Sequence, residues 1–466
     1  LHSHCVNRRI REVLAFWPDA IQFGARQRSG NDYHLTDDGN ALRLVDRYGA
    51  HLRYCDTLGG WLYWNGSQWL PGGNSEVYEQ AREVIQEIDE EARNVGEGTA
   101  RQALDQHVMR SERWERMKAM VNAAAVKRIV QARPDQFDSH PFIINLLNGA
   151  VDLRTSEIMA SRPEEHCTKI IPLIYNTDAV CPRFDQFMTE VFDSNEEVIH
   201  FVWKAIGYTL TGRTTEQVLF FCYGSGANGK STLFDVMRLM MGDYAGTAAP
   251  GLLIEKRNDR HPTEIAELKG KRFVSCVETG EGQRLAEELV KRLTGGDLMK
   301  GRLMRRDFFE FEPTHKLWLS ANHKPVIRGT DWAIWRRIPL IPFEVTFIDA
   351  ARAKPGDRIK DLELMDRLRE ELPGILAKAV RFAQEWTRDG LVIPPTVLMA
   401  TETYKKEQDV LGTFLEDCCQ SDPAAEEKAG DVYRAYQTWC RDNGEFCVAA
   451  NKFGLAMTER GVVRFK

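Results

Sequence analysis

Eight consecutive residues, Gly224-Ser225-Gly226-Ala227-Asn228-Gly229-Lys230-Ser231, fill the pattern G-x-x-x-x-G-K-[ST] in full. Glycines in such a string let backbone N–H groups wrap phosphate oxygens. The lysine reaches the β- and γ-phosphates, and the serine hydroxyl coordinates Mg²⁺. The context suits this chemistry, since Val218 to Tyr223 is an apolar strand-like run and Thr232 to Met241 reads as a helix. Gly224 to Thr232 is therefore the expected nucleotide contact, with Mg-ATP bound, Lys230 as its cation and Ser231 as a metal ligand. Lys230 is expected to face solvent.

A phosphate loop needs an acid at the end of a neighbouring strand to hold the metal and polarise water. Arg272 to Val277 reads as that strand, and it ends at Glu278. A third strand, Lys316 to Ala321, ends at Asn322, whose amide can sense the γ-phosphate or orient the attacking water. Arg336 and Arg337 stand before a further apolar run, Ile338 to Phe343. Adjacent arginines at a strand entrance are usually surface charges. In an oligomer, one can cross to a neighbour's phosphate, Arg337 being the first choice and Arg336 the second.

These residues need a parallel α/β scaffold, and the chain has room for one. Its 466 residues suggest about three domains at roughly 150 residues each. A 43% hydrophobic share with 28% charged residues excludes disordered, collagen-like and coiled-coil architectures. No apolar run approaches the roughly 18 residues that span a bilayer, so no membrane role is expected. The net charge of −6 excludes a whole-domain basic footprint, so any DNA contact must be local. Ten scattered cysteines without a C-x-x-C read as reduced, mostly buried thiols. The polar start without a Met suggests a piece of a longer or trimmed chain, with nothing marking it for secretion.

Residues 1–30 read as a linker and 31–180 as a mixed α/β flanking domain. Within the latter, Trp61 to Trp69 around Asn65-Gly66 and Ile143 to Leu153 around Asn148-Gly149 predict hairpins. The tryptophans could stack nucleobases or fill a core. Val77, Ala81, Val84, Ile85 and Ile88 share one face of a helix capped by Asn74 or Ser75. Pro182 opens a helical stretch towards Gly207. Within an ATPase domain expected over 181–348, residues 215–345 alternate strand and helix patterns, the mark of a parallel-sheet α/β domain. Residues 349–410 read as a helical connector, and 411–466 as three helices and a strand.

Further strings flank these elements: Gly207 to Gly212, Leu268 to Arg272, Lys291 to Asp297, Asn322 to Pro325, and Trp335-Arg336-Arg337 with Ile341 to Phe343. With Asn148 to Leu153 and Tyr175 to Pro182 upstream, they resemble a superfamily 3 helicase of the phage and plasmid primase–helicase family, related to the poxvirus helicase–primase group. The resemblance covers most of the chain. It implies an AAA+-like P-loop ATPase core, a mixed α+β N-terminal domain and a small helical or winged-helix C-terminal domain. It also implies a homo-oligomeric ring, a hexamer, acting on single-stranded and fork DNA in the host cytoplasm, bacterial if phage- or plasmid-encoded. A primase domain or polymerase would be its partner. Residues 1–215 contain no spaced acidic triad with nearby His for nucleotidyl transfer, so this is read as the helicase part.

In such helicases a hairpin between the second and third strands lines a central pore. Here that stretch holds Lys300, Arg302, Arg305 and Arg306, then Phe308, Phe309 and Phe311. Cations beside rings suit a strand-tracking loop; the plainer alternative is a solvated hairpin. The phenylalanines are expected in the core and at least one arginine outside it. By the same resemblance, the helix Ala449 to Glu459 would carry Asn451 and Lys452, with Arg460 just beyond, towards DNA; Val462 to Lys466 would begin a strand, the chain stopping where a wing would start. Two rival readings stay open: a P-loop ATPase that remodels protein, and a nucleotide-switched origin-binding module without unwinding.

Overall fold

Five parallel strands organise the computed structural model, which describes residues 33–255, 261–278, 280, 282–302, 304, 307–328, 332–420 and 425–463. The expected linker at 1–30 lies outside the described residues. In chain order the strands are β1 (Leu219–Tyr223), β2 (Ala245–Thr247), β3 (Phe273–Glu278), β4 (Lys316–Ala321) and β5 (Leu340–Pro342). Their spatial order is β5-β1-β4-β3-β2, and every neighbouring pair is parallel. A parallel sheet covered on both faces needs apolar strands, and β4 is buried along its whole length. The two-residue period divides the core. Phe220, Cys222, Phe273, Trp318 and Ile341 face one layer; Phe221, Val274, Cys276, Leu317 and Leu319 face the other.

The first layer contains helices Pro182–Val191, Glu196–Leu210, Lys230–Met241 and Leu372–Asp389. The sequence suggests one helical stretch from Pro182 towards Gly207, but the chain breaks it at Asp193 and Ser194, with φ of 49° and 60°. Asn195 then caps the second helix, its side chain accepting from the Val198 amide. Helix Leu372–Asp389 lies against Glu196–Leu210 so closely that a Cβ on Gly207 would stand 2.4 Å from the Ala383 nitrogen. The charged stretch after residue 349 therefore packs into the ATPase-like core. The second layer takes Val290 and Leu293 from helix Glu287–Gly295 and Tyr404 from helix Pro395–Gln408.

Upstream, helices Asp37–Tyr48, Asn74–Asn94, Thr99–Ser111 and Trp114–Ala125 pack with one small antiparallel sheet at residues 52–71, while a second at 143–159 packs into the first layer of the core. The five apolar residues predicted to face inward on the second of these helices are all buried. Its N-cap is Gly73, however, with no capping side chain, so Asn74 begins the helix instead of preceding it. Both hairpins form. Trp64 pairs with Trp69 across four residues, a turn closed by the Asn65 carboxamide oxygen accepting from the Ser67 and Gln68 amides. Leu146 pairs with Gly149, so the second loop is Leu147-Asn148. Trp61 and Trp69 are core.

Two buried cations stand at the entrances of the sheet, and the first ties it to this unit. Arg272, just before β3, donates to the carbonyl oxygens of Leu210 (2.5 Å), His140 (3.0 Å) and Ile143 (2.6 Å). Lys316, the first residue of β4, donates to the carbonyls of Thr211, Arg213 and Thr314. Leu210 and Thr211 end a helix, where the macrodipole favours positive charge.

At the other end of the chain, helices Val410–Cys418, Ala429–Asp442 and Ala450–Glu459 surround Phe414, Tyr436 and Phe453. Among the described residues no strand follows Ile359. The strand expected at Val462 to Lys466 does not form at Val462 and Val463, and 464–466 lie outside the described residues. The described cysteines are free thiols, most of them buried. Among the described residues no helix is long and apolar enough to cross a membrane.

His315, beside Lys316, is buried with neither ring nitrogen bonded. Burial, and secondarily the Lys316 charge, pull its pKa down to about 3. As pH falls from 6.5 towards 3, the unfolded chain takes up a proton that the folded chain refuses, so stability falls across that window. His315→Phe should make the decline of melting temperature between pH 6.5 and 4 shallower than in the parent protein. An unchanged slope would show that His315 is not the group being titrated.

Candidate nucleotide-binding site

Strand register decides what meets at the carboxyl edge of the sheet. Ala321 of β4 stands opposite Tyr223 of β1 on one side and Glu278 of β3 on the other. Gly224, Asn322 and the end of β3 therefore emerge in one row. Asn322 is exposed there. The Glu278 side chain lies outside what is described.

The loop after β1 is tied down at its flanks. The Gly224 amide donates to Ala321 O (3.4 Å), the Phe347 amide to Ala227 O (2.7 Å), and Asn228 Nδ2 to Phe343 O (3.1 Å). Gly226, Ala227 and Gly229 have φ of 112°, 48° and 86°. This curls the loop so that backbone amides line a concavity of the kind that takes anions. A Cβ on Gly229 would stand 2.6 Å from Val191 Cγ2, whereas one on Gly226 would meet nothing within 4 Å. Packing thus demands the first glycine, while the second leaves the open side clear. The amides of residues 225–229 donate to no other group among the described residues, and helix Lys230–Met241 begins immediately beyond, its N-terminus favouring negative charge. Ser225 and Ser231 are exposed, and Thr232 is half-buried.

Lys230 corrects the expectation of a solvent-facing side chain. It is 4% exposed, and its Nζ donates to Gly224 O (2.5 Å) and Asn228 Oδ1 (3.0 Å). A buried ammonium requires acceptors, and the loop's own carbonyl and amide oxygens supply them. Burial lowers its pKa below the ordinary lysine value.

Arg336 and Arg337 do not join this edge. The Leu219 amide donates to Arg337 O (2.7 Å) at the entrance of β1. Five residues at about 3.3 Å each then put roughly 16 Å of strand between them and Gly224. Arg337 is buried, donating to Ala333 O (2.5 Å) and Gln217 Oε1 (3.0 Å); the exposed Arg336 donates to the same Gln217 oxygen (2.5 Å). Gln217 was not anticipated. Its one sequence signal is a polar residue at the entrance of the strand that β5 must pair with. Lys324, two residues beyond Asn322, was also missed: its Nζ bonds Glu407 (2.6 Å) and lies 5.0 Å from the Tyr223 ring centre.

The expected basic hairpin forms between β3 and β4. Met299–Arg302 pairs antiparallel with Phe308–Phe311, which exposes Lys300, Arg302 and Phe308 and buries Phe309 and Phe311. The expectation that all three phenylalanines are core fails for Phe308, 49% exposed beneath Lys300 Nζ (5.3 Å) and Arg302 Cζ (4.7 Å). The two-residue period turns it outward. Arg305 and Arg306 lie outside the described residues. Asn451 and Lys452 are exposed on the last helix. Arg460 donates to Asp409 at the start of helix Val410–Cys418.

Comparison with known proteins adds relatives at low identity. A candidate helicase, L207/L206 of Acanthamoeba polyphaga mimivirus, is 24% identical over 66% of this chain and 34% of its own. A candidate helicase, 022R of frog virus 3, is 28% identical over 55% of this chain and 28% of its own. The candidate primase C962R of African swine fever virus is 24% identical over 49% and 25%. The chain thus spans about a quarter to a third of these relatives' length. Among solved structures, the apo C-terminal region of NrS-1 aligns over 53% of this chain and 56% of that one, at 12% identity and a TM-score of 0.38, too distant to argue from.

The sheet and its glycine loop define a mixed α/β protein with an ATPase-like core. One family model, D5 N terminal like, matches residues 41–193, and a second, a family of unknown function designated DUF5906, matches 222–337. Together with the viral relatives, these matches support a D5-like primase–helicase family member.

Gly229→Ala should destabilise the fold by about 2–4 kcal/mol, combining a steric clash with a strained φ. Gly226→Ala, with strain but no clash, should lower the melting temperature less. Equal losses would refute the packing role of Gly229.

Proposed function

We propose that this chain is the motor part of a replicative primase–helicase: an ATP-dependent DNA helicase that works as a homo-oligomeric ring, a hexamer by family resemblance. The observation that carries the reading is the row at the carboxyl edge, where an amide-lined loop, Asn322 and the end of β3 come together. Unpartnered amides around an open concavity fit a polyphosphate.

The amides of 225–229 and Lys230 hold the phosphates, Lys230 exchanging its loop acceptors for phosphate oxygens. Ser231 and Glu278 hold Mg²⁺, with Thr232 in the first turn of the same helix. Held there, Mg²⁺ would supply positive charge against the phosphates. Glu278 accepts the proton of the attacking water, and Asn322 orients that water. Arg337 acts on the neighbouring subunit's phosphate, with Arg336 as the second candidate; their position at the opposite edge supports a site shared between chains. Lys300 and Arg302, with Arg305 and Arg306, hold the single strand by its phosphates, and Phe308 offers a ring to a base. Fork DNA and a primase or polymerase complete the expected partners.

Lys230→Ala should abolish ATP hydrolysis. Arg337→Ala should retain ATP binding and hydrolyse slowly, since an arginine of this kind is worth roughly 10³ to 10⁵ in rate in GTPases. Mixed and allowed to exchange subunits, the two inactive proteins should regain partial activity. Exchange confirmed by mass without recovery would overturn the shared site. Hydrolysis indifferent to single-stranded DNA would favour protein remodelling, and sequence-specific duplex binding without unwinding would favour an origin switch.

The double variant Lys300→Ala, Arg302→Ala should weaken single-strand binding and reduce the slope of log K against log salt by about 1.4, at about 0.7 per phosphate. Basal hydrolysis without DNA should persist. An unchanged slope would move the strand elsewhere.

A further inference from the structure

Gln217 stands two residues before β1 with φ of 53°, a conformation that residues bearing a Cβ seldom adopt. Strain of this kind persists where surrounding contacts impose it. Here they do. The amide oxygen accepts from Arg336 Nη2 (2.5 Å) and Arg337 Nη2 (3.0 Å), while Nε2 donates to Gly295 O (3.3 Å). The amide's orientation is dictated by these partners. Flipped, it would set an NH₂ against two guanidinium groups and an oxygen against a carbonyl.

The three partners come from two elements with separate proposed tasks. Gly295 is the last residue of helix Glu287–Gly295, and Met299, four residues on, begins the basic hairpin. Arg336 and Arg337 follow helix Trp332–Trp335 and lead into β5. The residue before Gln217 is itself anchored: Glu216 Oε1 accepts from Trp386 Nε1 (2.7 Å). A shift of the hairpin relative to the sheet therefore reaches the guanidinium groups through one side chain on a fixed segment.

We propose that Gln217 is a positioning residue that aims the Arg336–Arg337 pair and couples it to the basic hairpin. The inference rests on the proposed action of Arg337 on a neighbour's nucleotide. Gln217 touches no nucleotide; it holds the arginines in one geometry and links that geometry to the end of the hairpin helix.

Two variants separate the two halves of this role. Gln217→Gly relieves the backbone strain and removes both links. It should keep the melting temperature at or above the parent's and the KM for ATP within about twofold, while kcat falls at least tenfold. Gln217→Glu keeps an acceptor for both arginines but sets an oxygen against Gly295 O. It should retain more of kcat than Gln217→Gly, yet lose the stimulation by single-stranded DNA. A residue with a merely structural role would move the melting temperature and leave the kcat-to-KM split and the DNA stimulation alone. If mixed Lys230→Ala and Arg337→Ala subunits recover activity while both Gln217 variants behave as the parent, the Gln217 proposal falls and the shared site stands. If the mixture recovers nothing, both fall.

Discussion

Burial of two cations at the lower edge of the sheet is the constraint on which the rest depends. Arg272 and Lys316 sit side by side at the entrances of β3 and β4, bonded to backbone carbonyls and not to a carboxylate. Burial lowers the pKa of both. Removing a cation from water is costly unless its donors are satisfied, and each abandoned carbonyl costs about 1–3 kcal/mol. The end of helix Glu196–Leu210 and the loop at residues 140–143 are therefore held against those two strand entrances. Through Arg272, and together with Ile144, Leu146 and Val151 packed into the same core as the sheet, that cluster joins the N-terminal unit to the ATPase-like core, and it indexes β3 against β4, since the Lys316 amide also donates to Arg272 O.

With the lower edge indexed, the upper edge follows. Strands β1, β3 and β4 end in one register row, so the loop, Asn322 and the end of β3 meet without further adjustment. The same parallel geometry sends Arg336 and Arg337 to the opposite edge, because they precede a strand whose fellows carry the loop at their far ends. Strand direction alone thus puts the glycine loop and the arginine pair at opposite ends of one sheet. At that edge Gln217 ties the arginine pair to the end of the helix that precedes the hairpin.

Much of this was legible. The P-loop string, the strand ending at Glu278, the helix bearing Val77 to Ile88 and both hairpins depend on local spacing, and local spacing is what a sequence displays. Other features depend on three-dimensional contacts that residue spacing does not display. Lys230 turns inward because Gly224 and Asn228 offer oxygens. Phe308 faces outward because hairpin register, not hydrophobicity, sets its side. Arg460 is tied to Asp409, fifty-one positions away. The helix after Pro182 breaks at Asp193 and Ser194, with no proline or glycine at the break to announce it.

The sequence by itself determined the chemistry available: which backbone can cradle phosphate, which residues can carry charge to it, and the order of strands and helices that bears them. Those properties reside in residue type and spacing of a few positions. The tertiary structure alone decided which of them share a space. Proximity in a parallel sheet comes from register and strand direction, set by contacts between residues a hundred positions apart. Gln217 belongs wholly to that second category. It is an ordinary polar residue along the chain, and it acquires a role only where β1 and β5 pair and bring two arginines to one amide.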